Sequence, residues 1–171
     1  MSGTVAFEPL SRFERGVLCR LLSDAYALTP HYEARDRQAW QAMEDFFFDN
    51  PAIGDAYCAV TTLCGEPIGF VSWDPRRLPG YAVIGHNCVA SAHKGKGYGV
   101  LQLRETLARI ARLGAKKVYV STNADLIPAQ RMYERVGFER LAPEALEPWQ
   151  LGQGADVYYG MTLQTDPESV L

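Results

Sequence analysis

No apolar run in this 171-residue chain approaches the ~20 residues that span a bilayer. Four cysteines are present, Cys19, Cys58, Cys64 and Cys88, and none stands in CxxC spacing or near a histidine that would complete a zinc cluster. Free thiols acting as small apolar side chains are expected, with no metal. A basic excess is also missing: 17 Lys and Arg stand against 20 Asp and Glu, a net charge of −3. Nucleic acid is thereby excluded as the main partner, since phosphate binding leans on a broad basic face. Met1 to Leu10 has neither the basic start nor the apolar stretch of a secretory signal. A cytoplasmic protein without a membrane partner is expected. Repeats, low-complexity tracts and linker-like shifts are absent. With 47% hydrophobic and 22% charged residues, the sequence reads as one globular domain over residues 1–171.

What is present is an alternation of β-rich and helical stretches. Thr4–Glu8 reads as a strand broken at Pro9. Ser11 is placed as the N-cap of a helix carrying Phe13, Val17, Leu21 and Leu22 on one face, ended by Pro30. A second helix is expected over Asp36–Phe48, with Trp40, Met43, Phe47 and also Phe46 inward, closed by Asn50-Pro51. Asp55–Leu63 and Ile68–Trp73, flanking a turn at Gly65, read as a hairpin. Tyr81–Val89 is a further strand. The clearest helix runs over Gly97–Leu113, where Val100, Leu103, Leu107, Ile110 and Ala111 recur at helical spacing before Gly114. Lys117–Ser121 follows as a strand, Pro128–Val136 as a short helix closed by Gly137, and last strands lie near Phe138 and over Val157–Leu163. The fold class is α/β, a mixed sheet with helices on both faces.

Lys94-Gly95-Lys96-Gly97-Tyr98-Gly99 lies between a strand and the clearest helix. Glycines let the backbone turn tightly and approach a ligand, and the helix start offers free N–H groups and the positive end of its dipole. Together they suit a phosphate or pyrophosphate, with Lys94 and Lys96 adding charge. The P-loop pattern is absent, because no Gly-Lys pair here precedes Ser or Thr. The dinucleotide fingerprint fails too: Val100 stands where its third glycine belongs, and no acid lies ~20 residues on.

The stretch Val89 to Gly99 resembles the cofactor-binding motif of the GNAT superfamily of acyl-CoA N-acyltransferases, a strand followed by [RQK]-G-x-G-x-G/A opening a helix. Ala129 to Phe138 is similar to that family's A-x-x-x-Y-E-x-x-G-F segment, and lies at the expected distance. Two motifs in the right order are far more specific than one glycine loop. The resemblance implies the GNAT fold, a sheet of about six to seven strands, and transfer of acetyl from acetyl-CoA to the amine of a small molecule or peptide. It implies cofactor contacts from Cys88, Val89, Ala90, Lys94, Gly95, Lys96, Gly97, Tyr98, Gly99 and Val100, with a strand edge pairing with the cofactor amides. Ser91 replaces a frequent proline, and Leu126 stands where many relatives carry Asn, so Asn123 is the candidate in its place. Homodimers are common among such proteins. An inactive acyl-CoA-binding sensor is the alternative, and a nucleotide-binding interaction domain a third class.

An aliphatic amine of pKa ~10.4 is protonated at neutral pH and must lose a proton before attack. Tyr133, matching the family tyrosine, is the candidate acid for the leaving thiolate. His86, on the strand entering the loop, is the candidate base, expected to titrate near ~6–8. Asp74, Glu66 and a water chain stay open as alternatives. Tyr26, Tyr32 and Trp40, with Glu33, Asp36, Glu44 and Asp45, read either as core aromatics beside a solvated acidic face or as the lining of an amine pocket.

Overall fold

The computed structural model describes residues 3–150 and 154–164. Its strands are β1 (Val5–Pro9), β2 (Cys58–Leu63), β3 (Glu66–Asp74), β4 (Tyr81–Val89), β5 (Lys117–Thr122), β6 (Glu139–Leu141) and β7 (Val157–Thr162). They form one mixed sheet in the order β1-β2-β3-β4-β5-β7-β6. The α-helices among the described residues are α1 (Val17–Ala25), α2 (Pro30–Asp49), α3 (Pro51–Tyr57), α4 (Tyr98–Arg112) and α5 (Ile127–Val136). The α/β class and the mixed sheet are as expected. Contacts divide the chain into two compact units: residues up to Ser72 with His86–Gln102, and Trp73–Gly85 with Leu103 onward.

In the first unit β1, β2 and β3 are antiparallel, and the β2–β3 register shifts between Thr61 and Thr62, where Ile68 of β3 is the extra residue. Leu10, Val17, Leu18, Leu22, Trp40, Phe47, Val60 and Phe70 form its core. Proline behaves differently here from the expectation. Pro30 opens α2 instead of ending a helix, and Pro51 opens α3, which takes the residues Asp55–Tyr57 assigned above to a strand. At the first turn proline has no helical hydrogen bond to lose, and its fixed φ suits the helix. Ser11 is not a cap either; Leu10–Arg12 is a short 3-10 turn, and α1 starts after Gly16 at φ 105°.

The start of α1 has no cap from its own residues. Glu44 of α2 supplies one. Its fully buried carboxyl group accepts the N–H of Gly16 (2.8 Å) and of Leu18 (2.9 Å) on Oε1. Glu44 therefore belongs to the core and not to a solvated acidic face, because free helix-start donors need an acceptor when water is excluded.

In the second unit β4 pairs in parallel with β5 over Tyr81–Val83 against Lys117–Tyr119. β5 pairs along its length with antiparallel β7, from Lys117↔Thr162 to Thr122↔Val157. Leu103, Leu107 and Ile110 make the buried stripe of α4.

Removing the Glu44 acceptor leaves two helix-start donors without it. Glu44→Ala is expected to cost about 2–4 kcal/mol in urea unfolding, and Glu44→Gln, which keeps an oxygen there, clearly less. Equal losses would show that the position needs the carboxylate itself and not merely an acceptor oxygen.

Candidate active site

The glycine loop begins with a 3-10 turn, Ser91–His93, and passes Gly95 at φ 73° and Gly97 at φ 87° before α4. Both angles are left-handed, a conformation that favours glycine. A Cβ at either position would meet no atom within 4 Å, so the space in front of the loop is open. The first backbone bond of α4 runs from Leu101 N–H to Gly97 C=O (3.1 Å). The N–H groups of Tyr98, Gly99 and Val100 thus lack an intrahelical acceptor and sit at the positive end of a helix long enough to have a dipole. A pyrophosphate fits this place: the space at both glycines is open, and the first N–H groups of a long helix lie beside it.

Both lysines of the loop have carbonyl partners within the protein. Lys94 Nζ donates to the Ala25 carbonyl at the end of α1, and exposed Lys96 Nζ to the Ala92 carbonyl (2.9 Å). Carbonyls at a helix C-terminus attract a cation. Lys94 is therefore a strut between loop and α1. Ser91 adds two further ties to the same turn: its N–H donates to Asp24 Oδ2 (2.6 Å) and its Oγ to the Asp24 carbonyl (2.7 Å). A proline here could not make the first of these bonds.

Gln102, in the first turns of α4, is fully buried. Its Oε1 accepts Thr61 Oγ1 (2.5 Å), and its Nε2 donates to Phe70 O (2.8 Å), Asn87 Oδ1 (2.5 Å) and Cys88 O (3.2 Å). An amide buried without partners costs roughly 2–7 kcal/mol, depending on the reference state, so this network fixes the helix start against β2, β3 and β4. Gly69 makes the room. A Cβ there would lie 2.4 Å from Cys88 O and 3.0 Å from Gln102 Oε1. Sequence reading passed over Gln102 because its partners are distant in the chain. The available signal was a polar residue at 102 and another at Thr106, one turn on, both buried beside the apolar stripe of α4.

On β4 the His86 N–H donates to Ser72 Oγ (3.2 Å), and its ring is 6.0 Å from that of Phe70. Burial lowers the His86 pKa from the usual 6.5 to about 4, against a smaller opposing pull from the negative charge of Asp36. The imidazole is thus neutral at physiological pH, and its titration lies below the ~6–8 expected. Cys88 is buried, and burial pushes its thiol up to about 12, so it presents backbone and no thiolate. Val89 and Ala90 continue the segment, the Ala90 N–H donating to Ile68 O (2.7 Å). Nearby in the same unit, Tyr26 stacks on Trp40 (5.6 Å) and tilts against Tyr32 (5.4 Å), while Arg35 lies over Tyr32 and chelates Asp36.

The second unit holds the remaining candidates. Tyr133 is buried on α5, its ring 5.8 Å from Phe138 and 5.7 Å from Tyr159. Gly137 at φ 111° ends the helix, and the Tyr133 carbonyl accepts the N–H of Gly137 (3.2 Å) and of Phe138 (3.0 Å). The Gly-Phe pair of the second motif therefore clamps Tyr133 through backbone and ring. Asn123 Nδ2 donates to the Gly154 carbonyl (2.6 Å), and the Asn123 carbonyl accepts Gln130 Nε2 (3.0 Å). Both bonds brace the turn between β5 and α5. Asp74 is chelated by Arg76 at 2.5 to 3.0 Å, which lowers its pKa and makes it a weak base.

The chain belongs to the acetyltransferase (GNAT) family, whose profile matches residues 18–138. It is therefore an acyl-CoA-dependent transferase with acetyl-CoA as co-substrate. Solved structures share the fold. A GNAT-family protein from Desulfovibrio desulfuricans is 19% identical with TM-score 0.70, over 93% of this chain and 98% of that one. The yncA protein of Salmonella typhimurium, solved with its cofactor acetyl-CoA, is 18% identical with TM-score 0.60, over 99% and 97%. A chain of the NatC complex, solved bound to Gag peptide and CoA, is 18% identical with TM-score 0.64, over 94% and 99%. No curated protein matches the sequence. No helix among the described residues is long and apolar enough to cross a membrane.

Because the cradle is open at Gly97, Gly97→Asp adds a negative charge to it without meeting protein atoms. Calorimetry is expected to show acetyl-CoA affinity falling by more than about 100-fold, with the melting temperature lowered only by the strain of the left-handed φ. Unchanged affinity would move the pyrophosphate elsewhere.

Proposed function

We propose that the protein is an N-acetyltransferase, moving acetyl from acetyl-CoA directly to the amine of a small molecule or peptide. The observation that carries this reading is the open glycine cradle leading into α4, joined in one chain to a clamped Tyr133 in the family's second motif. The NatC chain, solved with a peptide, and yncA, solved with acetyl-CoA, support the two halves of the substrate pair. The reading takes residues 1–171 as one catalytic domain, the cytoplasm as its setting and a homodimer as the assembly to test.

Bound acetyl-CoA supplies the activated acetyl group. The backbone N–H groups of Gly95, Gly97, Tyr98, Gly99 and Val100 hold its anionic end, and Cys88, Val89 and Ala90 offer strand backbone to its amides. Asn123 stays a candidate through its turn. The acceptor ammonium, of pKa ~10.4, must give up a proton before attack. His86 Nδ1 or Nε2 can accept it, being neutral at working pH, and the Asp36 charge favours the imidazolium so formed. With a pKa of about 4 the imidazole passes the proton on to water readily, which makes a water chain beginning at His86 the preferred route. Tyr133 Oη is the proton donor to the leaving sulfur, on the strength of the motif it occupies. The aromatic group Tyr26, Tyr32 and Trp40, beside Asp36, is the proposed acceptor side, where a cation finds ring faces and a carboxylate.

Incubation with acetyl-CoA and a panel of amines, read by mass spectrometry, tests the reading; acetylated product is expected, and CoA binding without turnover of any amine favours the sensor. In that assay Tyr133→Phe is expected to lower kcat by about 10²–10⁴ with little change in KM for acetyl-CoA. A near wild-type kcat would leave Tyr133 as packing alone. The pH profile separates the bases. If His86 acts, kcat/KM rises through a limb near pH 4 that His86→Ala removes. A limb at pH 6–8 that survives in His86→Ala assigns the proton to another group.

A further inference from the structure

We propose that Gln102 is a positioning residue for acyl transfer, holding the His86–Val89 segment of β4 in the shape that receives the thioester. The proposal deepens the transferase reading above and rests on it.

That segment is not served by regular strand partners alone. The His86 N–H goes to a side chain, Ser72 Oγ (3.2 Å). The Asn87 side chain and the Cys88 carbonyl both receive the same Gln102 amide, at 2.5 and 3.2 Å. A carboxamide has two N–H bonds, and here they serve three acceptors, Phe70 O included, so at least one is shared. The orientation of the amide is set from the other end by Thr61 Oγ1 on Oε1, next to the shift in the β2–β3 register. Gly69, paired with Thr61 in the β2–β3 register, leaves the space in which Cys88 O and Gln102 Oε1 come close.

The same residue belongs to α4, just past the N–H groups that cradle the pyrophosphate. One buried amide thus sets the distance between the anchor for the phosphates and the strand backbone for the acyl end. A small error in that distance misaligns the reacting carbon while leaving the phosphate anchor intact, and rates are steeply sensitive to such misplacement. An apolar side chain at 102 would fill the volume but could not orient Cys88 O or Asn87 Oδ1.

Gln102→Met keeps the length and removes the strong donors and acceptor; Thr61→Val removes only the bond that orients the amide. Three readouts are taken on the full chain: calorimetric affinity for CoA, kcat and KM for acetyl-CoA consumption with hydrolysis as the stand-in reaction, and backbone amide exchange over Asn87–Ala90 without ligand. Gln102→Met is expected to bind CoA within about threefold of wild type, to lose about tenfold or more in kcat at nearly constant KM, and to exchange those amides about tenfold faster. Thr61→Val moves kcat and exchange in the same direction by less. If Gln102→Met does not fold, Thr61→Val decides. Unchanged kcat and exchange overturn the proposal, as does a loss of CoA affinity in parallel with kcat and melting temperature, which marks a general structural role. A wild type that neither binds CoA nor consumes acetyl-CoA overturns the transferase reading itself, an outcome told apart by that control.

Discussion

Water solvates an amide on every side, and a core must replace each of those contacts or carry the cost of leaving them empty. The Gln102 carboxamide, fully buried at the start of α4, meets this demand with bonds to Thr61, Phe70, Asn87 and Cys88. Much else follows from that constraint. Gly69 has to be glycine, because any Cβ would collide with Cys88 O. The helix start has to lie where the amide can reach three strands, and the glycine loop, directly before it, inherits that position.

The loop is held from a second direction by α1. Ser91 and Lys94 bind the Asp24 and Ala25 end of that helix, and Glu44 caps its start. A chain of ordinary bonds therefore runs from a carboxyl group on α2, through α1, to the cradle. In the proposed site the positive potential comes from peptide N–H groups held rigidly, which do not have to be reoriented when a ligand arrives. The charge balance of −3 agrees with this economy, since the site uses backbone dipoles where a nucleic-acid face would need many cations.

What could be read from the sequence was the local part. The strand, glycine loop and helix over Tyr81–Arg112 follow from glycine conformation and helical periodicity, and the Gly137-Phe138 pair announced the clamp on Tyr133. The second helix does close at Asn50-Pro51, but that Pro30 and Pro51 each open a helix was missed, because proline stops a helix from inside and starts one at its first turn, and local sequence does not say which side it is on. The roles of Gln102, Glu44 and Lys94 depend on partners far along the chain. The His86 pKa depends on burial, which no spacing of residues reveals. Sequence thus marked the glycine loop proposed for the anion, and tertiary contacts determine how the strand beside it is held.

The central claim is that this loop is built for the pyrophosphate of an acyl-CoA, and binding of competing ligands tests it most directly. Calorimetric titration of the full chain with acetyl-CoA, ATP and NAD under one buffer condition compares three molecules that all carry an adenosine and a pyrophosphate unit. The account predicts saturable binding of acetyl-CoA, at least about 100-fold tighter than either nucleotide, because only acetyl-CoA adds a pantetheine arm with two backbone-like amides to the anion in the cradle. Equal or tighter binding of ATP or NAD would contradict it and return the loop to the nucleotide-binding class.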